Sequence, residues 1–466
     1  MPVTSSIKSV LAGIFLAVQV VTVSAAAAEP GHAGGAVIAA TPPMGWNSWD
    51  AYGLTITEVQ FRENVGVLDD KLKSFGWTYA VIDEGWFLKN PEDRPTPEKL
   101  IYVLDDNGRY IPDPVRFPSA LTGTQNTGFA ALAKDVHARG LKFGIHIVRG
   151  IPRESVARNL PVANSRFRAR DVADQTDACP WDPTNWGVKD TPAGQAWYNS
   201  LIAQYAAWGV DYLKVDCISD HPFKLAEIRM IHKAIVKSGR RIVLSLSPGP
   251  TSPGVLQAIK PYAQLWRISD DVWDYWSNQQ AWPRALKEHF DLLSGWGPVA
   301  TAGSWPDADM LPIGYLGPNP GFGEARQSRL TPVETQTMLS LWAMVRSPLI
   351  LGANLTKLDA DTLKLLTNKD LIELDQSSFG QHQEAREGFT VVWSSQGPDG
   401  VRYLAFFNLG DQPARVQHSL AFYNLPRSSY DAKTVVEGEE LGQITGIDIT
   451  LPPHGSRVLK LAQPRP

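Results

Sequence analysis

The sequence predicts a (β/α)8 TIM barrel followed by a C-terminal antiparallel β-sandwich, and three observations carry that expectation. From Thr41 to about Asp375, short apolar strands alternate with amphipathic helical stretches. Several of these strands end in acids: Tyr79-Ala-Val-Ile-Asp83-Glu84, Tyr212-Leu-Lys-Val-Asp216 and Leu265-Trp-Arg267-Ile-Ser-Asp270-Asp271. An ionised carboxylate taken out of water is costly unless paired or hydrogen-bonded. Acids gathered at the carboxyl ends of parallel strands therefore describe a polar mouth over an apolar core, where barrel sites lie. Past Phe379 the texture changes to short strands separated by Gly, Pro and Asp turns, with no helix-length pattern between them.

Eight barrel strands are expected at 43–46, 79–83, 141–147, 210–216, 241–246, 265–268, 298–302 and 349–352. Helices fall between them, among others at 57–75, 128–139, 193–208 and 223–237. The last two run into Gly209 and Gly239, as helix C-termini often do. The barrel is expected over 37–375 and the sandwich over 376–466, with strands near 389–393, 402–408, 414–417, 434–437 and 456–461. The sandwich is read as a structural cap, with carbohydrate binding as the alternative.

The amino end reads as an export signal over 1–28. Lys8 precedes an apolar run from Val10 to Val23, and Ala25 to Ala28 offer a small-residue cleavage site. That run is short for a membrane span. The mature protein is expected to be secreted or periplasmic, with no membrane association after cleavage.

Lys and Arg total 44 against 48 acids, which gives no broad electrostatic footprint for nucleic acid. The 16 Trp and 13 Tyr are mostly core residues, but several stand beside strand-end acids, where an aromatic plane suits a sugar ring. Two cysteines, Cys179 and Cys217, allow one disulfide or two buried thiols. Two thiols without a His pair at ligand spacing argue against zinc.

The polar residues expected at the mouth are Trp46, Asp83, Glu84, His146, Lys214, Asp216, Ser247, Arg267, Asp271, Asp307 and Asp309. A divalent metal would favour a denser acidic loop, and a phosphorylated ligand more cations and a glycine-rich turn. Glycoside cleavage needs two carboxyl groups flanking the bond, one a nucleophile and one a proton donor. Asp216 and Asp271 fit that division, with Lys214 and Arg267 nearby to keep a nucleophile ionised. Asp270 competes with Asp271, but adjacent strand residues face opposite ways.

The segment Thr41-Pro-Pro-Met-Gly-Trp-Asn-Ser-Trp-Asp50 resembles the first-strand signature of glycoside hydrolase family 27, the α-galactosidase or melibiase family. The resemblance continues through Ile82-Asp-Glu-Gly-Trp86, Gly140-Leu-Lys-Phe-Gly-Ile145, Tyr212-Leu-Lys-Val-Asp216, Trp266-Arg267 with Asp271, and Gly303-Ser-Trp-Pro-Asp-Ala-Asp-Met310. It implies a retaining exo-glycosidase on a barrel with a C-terminal sandwich, acting on terminal α-D-galactosides without a metal or other cofactor. By that resemblance Asp216 is the nucleophile and Asp271 the general acid/base. Lys214 and Arg267 bind sugar hydroxyls, Trp46 and Asp83 form the wall and floor around O4 and O6, and Asp309 lies in another site motif.

Three departures bear on the sugar. Asp83-Glu84 stands where typical α-galactosidases carry two Asp. The extra methylene moves a carboxylate toward the space of C6, which suits β-L-arabinopyranose, a galactose without its hydroxymethyl. Ser247 replaces the Glu that faces the 2-hydroxyl, as in α-N-acetylgalactosaminidases. His146 replaces a Tyr. The family also pairs a cysteine beyond the nucleophile with an earlier one; Cys217 sits one position closer than usual, so a Cys179–Cys217 bridge is implied by resemblance alone. From a different class, a carbohydrate-binding protein without catalysis stays open, although such a module has no need of a second acid.

Overall fold

The computed structural model describes Met1 and residues 37–464 except positions 95, 183, 279, 281 and 318–323. The predicted export signal, Met1 apart, lies outside the described residues. Among the described residues, no helix is long and apolar enough to cross a membrane.

Eight parallel strands form the barrel: β1 (Met44–Asn47), β2 (Tyr79–Ile82), β3 (Lys142–Val148), β4 (Tyr212–Asp216), β5 (Val243–Leu246), β6 (Leu265–Arg267), β7 (Trp305–Asp307) and β8 (Leu349–Leu351). From β1 to β7 each pairs with the next in sequence, and β1 pairs with β8. The seam between β7 and β8 is joined just beyond β7, where Leu311 exchanges backbone hydrogen bonds with Ile350 and Gly352. Helices α1 (Glu58–Val67), α2 (Ala130–Ala138), α3 (Pro192–Trp208), α4 (Leu225–Ser238), α5 (Leu256–Ile259), α6 (Leu286–Trp296) and α7 (Pro332–Val345) follow the strands in turn, then α8 (Ala360–Leu366) and α9 (Lys369–Ser377). Thr57 and Gln60 close a capping box at the start of α1. As predicted, α3 and α4 end on left-handed glycines, Gly209 at φ 88° and Gly239 at φ 72°.

Period-two alternation divides each strand. Trp46, Ile82, Ile145, Leu213, Leu246 and Trp266 face the helices and join the main core. Tyr79, Val81, Tyr212, Val243, Leu265 and Trp305 point inward and plug the barrel floor. Tyr79 is so close to β1 that a Cβ at Gly45 would lie 2.3 Å from its carbonyl oxygen, so only glycine fits there. The same alternation sends Asn47, Asp83, His146, Lys214, Asp216, Ser247 and Arg267 to the upper interior.

The expected seventh strand at 298–302 is wrong. Gly297–Val299 forms a 3₁₀ turn at the end of α6, and the strand is Trp305–Asp307, paired with β6. Pro298 has no N–H to give a central parallel ladder, whereas Trp305 supplies the inward ring.

The C-terminal strands are β9 (Phe379–Glu387), β10 (Thr390–Gln396), β11 (Arg402–Asn408), β12 (Ala414–Ser419), β13 (Tyr430–Thr434), β14 (Glu440–Ile444), β15 (Gly446–Leu451) and β16 (Ser456–Ala462). Six form one antiparallel sheet in the order β9-β10-β11-β16-β13-β14, and β12 pairs with β15. Between them lies a core of Leu404, Phe406, Val416, Tyr423, Ile447 and Leu459. The opposite face of the large sheet, with Trp393, Tyr403 and Phe407, belongs to the barrel's own core. Phe407 meets Phe290 of α6 at 5.0 Å between ring centroids. The expected strand at 434–437 meets β13 only at Thr434 and otherwise falls on the turn after it, and the rest of β13 with β9, β14 and β15 went unpredicted, although Ile447, Ile449 and Leu451 of β15 alternate.

Candidate active site

The parallel register sets Lys214 beside His146 on one side and Ser245 on the other, and Asp216 beside Val148. Lys214 Nζ lies 2.9 Å from Asp83 Oδ2, which also accepts from Asn47 Nδ2 at 2.7 Å. Asp83 Oδ1 accepts from the Glu84 amide. Burial alone would push Asp83 upward, but Lys214 and His146 outweigh it and hold the carboxyl below its ordinary range. Lys214 is in turn held firmly protonated, because its acidic neighbours outweigh burial. Below the mouth, Asn47, Lys214, Ser245, Ser247, Arg267 and Asp307 line a cavity of about 20 Å³, the space of one water molecule.

Asp216 closes β4. The next residue, Cys217, has φ 61°, a costly left-handed turn for a residue with a side chain. The turn is tied down on several sides. Cys217 is bridged to Cys179, with Cα atoms 5.9 Å apart. Its amide donates to Asp216 Oδ1 at 2.8 Å and its carbonyl accepts from Arg149 Nε at 2.6 Å. Arg149 is itself fixed by Asp177 and Glu227. The implied disulfide is thus present. A bridge of this kind typically contributes about 2–4 kcal/mol, and here it also braces the turn behind the carboxylate.

His146 Nε2 stands 3.9 Å from Asp216 Oδ2, and Trp181 Nε1 donates to the same oxygen at 3.4 Å. Burial pushes Asp216 upward, yet His146, Lys214 and the Cys217 amide together hold it far below the usual carboxylate range.

Asp271 sits four residues past Arg267 and is two-fifths exposed, with its Oδ1 3.3 Å from Arg267 Nη2. Asp270 faces away, toward His221 and Arg284, each at 3.7 Å. Farther along the loop, Trp276 stacks on His454 of the sandwich at 4.1 Å.

One expected contact, Trp46, lies elsewhere. Trp46 is completely buried, packed on Phe61 of α1 and donating to the Ala353 carbonyl. Its indole faces away from the mouth because inward positions on β1 fall on Gly45 and Asn47. Asn47 and the half-buried Trp49 stand nearer the mouth. Trp46→Ala is expected to lower the unfolding free energy by about 3–5 kcal/mol, measured by denaturant titration, while KM stays within about twofold. A large KM change at full stability would restore Trp46 to the site.

Asp309 lines the small cavity below the mouth together with Lys214, Ser247 and Arg267. Its Oδ1 takes Arg267 Nη1 at 2.8 Å and the Met310 amide, and its Oδ2 takes the Val272 amide at 2.8 Å. Burial pushes its carboxyl up to about 7 despite Arg267. It fixes Arg267 and the residue after Asp271. Glu84 remains at the mouth, buried, with Arg94 3.0 Å from its Oε1; burial, aided by Asp182, holds its carboxyl well above the ordinary range.

A family model for alpha galactosidase A matches residues 184–377, and one for the alpha galactosidase C-terminal beta sandwich domain matches 387–461. A glycoside hydrolase family 27 β-L-arabinopyranosidase from Geobacillus stearothermophilus superposes with a TM-score of 0.85 at 39% identity, covering 91% of this chain and 97% of that one. The chain belongs to glycoside hydrolase family 27. An Asp-to-Ala variant of that Geobacillus enzyme, in complex with arabinose, matches at 38% identity with the same TM-score over 92% of this chain and 98% of that one. Among relatives, alpha-galactosidase A of Cellvibrio japonicus is 25% identical over 91% of this chain and 93% of its own. Alpha-N-acetylgalactosaminidase of Gallus gallus is 27% identical over 89% and 91%. As a family 27 member, the protein is a glycoside hydrolase with a carbohydrate substrate. Among its described residues, no group of three or more His, Cys, Asp or Glu side chains is arranged to hold a metal ion.

The sequence reading missed four parts of this hydrolase's mouth: Asn47, Trp181, Arg149 with its acids, and the His454 brace. Only Asn47 had a usable signal, since strict alternation from Tyr79-type inward residues places Asn47, not Trp46, inside.

Proposed function

We propose that this family 27 hydrolase is a retaining exo-glycosidase that releases terminal β-L-arabinopyranosyl residues, with α-D-galactosides as slower substrates. Asp216 attacks the anomeric carbon as the bond to the leaving oxygen breaks and Asp271 gives that oxygen its proton. Asp271, now a carboxylate, takes a proton from water, whose oxygen displaces Asp216 and frees the sugar. Lys214, Asp83 and Arg267 supply hydroxyl contacts, and Ser247 leaves the 2-position uncrowded.

Glu84 carries the choice of sugar. It is the longer acid at the position beside the floor carboxylate Asp83, and its Arg94 partner keeps it buried there. A pentopyranose has no C6 group to compete for that space. The identity of 39% to an arabinopyranosidase supports the same choice. The second reading, α-D-galactosides as principal substrates, is favoured by the α-galactosidases aligned over most of the chain.

Rates on 4-nitrophenyl β-L-arabinopyranoside, α-D-galactopyranoside and N-acetyl-α-D-galactosaminide decide between them. The arabinoside is expected to lead in kcat/KM by about tenfold or more, the scale of one misplaced methylene. A leading galactoside or galactosaminide overturns the assignment. Glu84→Asp is expected to raise the galactoside-to-arabinoside ratio about tenfold, and an unmoved ratio counts against the steric argument.

A further inference from the structure

We propose that Trp181 and His221 form the binding platform for the leaving-group sugar, the ring on the far side of the bond being cut. The inference rests on the glycosidase reading above and extends it to the second sugar.

The chain buries Trp46, Trp86 and Trp266 completely but leaves Trp181 with 36% of its surface exposed. That exposed ring is not on a loose loop. Two residues before it, Cys179 is bridged to Cys217, and the next residue, Asp182, is buried and accepts from the Thr184 amide. An indole fixed on both sides and open to solvent is an apolar plane held ready, with little ordering entropy left to lose. Its N–H touches the nucleophile candidate, so the ring borders the reacting centre.

His221 stands across from it, on the loop after β4, with ring centroids 5.1 Å apart. The imidazole is half-exposed and lies 2.7 Å from Asp220 and 3.7 Å from Asp270, the residue before the proton-donor candidate. The two rings therefore run from Asp216 toward the loop segment that carries Asp270 and Asp271. A ligand on this platform borders Asp216 and the segment that carries Asp271, which is where the departing group is expected. A pyranose suits it, because one face presents C–H groups to an aromatic plane while its rim of hydroxyls meets Asp220, Asp270 and Arg284.

The test separates leaving groups. A glycosyl fluoride places only fluoride beyond the scissile bond, whereas a disaccharide of the same terminal sugar places a ring there. The terminal sugar is arabinopyranose or galactose, whichever the wild type turns over faster. In Trp181→Ala, kcat/KM on the disaccharide relative to the fluoride is expected to fall about tenfold, chiefly through KM. His221→Ala is expected to move the same ratio in the same direction by a smaller factor, and Trp181→Phe to restore most of it. Parallel losses on both substrates would mean that Trp181 only supports Asp216 and would overturn the platform. An unchanged ratio overturns it too. A wild type inert on both substrates overturns the glycosidase reading first, and the platform with it.

Discussion

Asp216→Ala is expected to lower kcat/KM on an aryl glycoside by on the order of 10⁴- to 10⁶-fold, the loss seen when a covalent nucleophile is removed. Asp216 is one strand residue among many, but its neighbours serve its charge. Burial works against ionisation, and His146, Lys214 and the Cys217 amide overcome it. The variant should fold, because the disulfide and the Arg149 network still hold the turn when the Cys217 amide loses its bond to this side chain. Azide offers a chemical check: as a small external nucleophile it should restore turnover and give the azide of inverted configuration. A variant that keeps more than about one hundredth of wild-type turnover would remove Asp216 from the mechanism. The pH profile adds a second line. With Asp216 held low, its protonation does not set the acid limb of kcat/KM. His146→Ala removes a partner that lowers Asp216, so its carboxyl takes up a proton at higher pH, read directly by following the NMR titration of that carboxyl. An unmoved titration means the imidazole exerts no such hold.

The barrel and the placement of the acids were legible because both follow from a period of two. Apolar residues at alternate positions give the helix-facing layer, and the same count places Asp83, Lys214, Asp216 and Arg267 inward at the strand ends. The seventh strand was misread because 298–302 is apolar in composition, whereas Trp305-Pro-Asp307 looks like a turn. Only the barrel, by taking the Trp305 ring into its floor, makes that segment a strand. Trp46 was misplaced for a related reason: an aromatic residue in a site motif suggests a sugar wall, but inward and outward positions on β1 are fixed by Gly45 against Tyr79. Asp309 shows a different limit. Its contacts to Arg267 and to the Val272 amide join it to segments distant in sequence, which no local pattern announces. Arg149, Trp181 and His454 act through contacts with residues distant in sequence, which no local pattern announces.

Asp271→Ala should produce a loss that depends on the leaving group, unlike the loss at Asp216. The geometry explains why the two acids differ. Asp216 is buried among partners that favour its charge, whereas Asp271 is two-fifths exposed at the rim, with Arg267 at 3.3 Å and a loop fixed through Val272 to Asp309 and through Trp276 to His454. A proton donor must reach the departing oxygen and later a water, and the rim is where both arrive. For a disaccharide, whose leaving alkoxide needs a proton, kcat/KM is expected to fall by about 10²- to 10⁴-fold. For a 2,4-dinitrophenyl glycoside, which leaves without help, the first step should remain fast while the second loses its general base. The glycosyl-enzyme then accumulates, so kcat and KM fall together, a burst of dinitrophenol appears, and intact-mass measurement finds one added glycosyl group on the chain. Azide should speed this second step and yield the azide of retained configuration, opposite to the product expected from Asp216→Ala. Equal losses on both leaving groups, with no burst and no adduct, would take the acid/base role from Asp271. The neighbour Asp270, already engaged with His221 and Arg284, would be the next carboxyl group to replace.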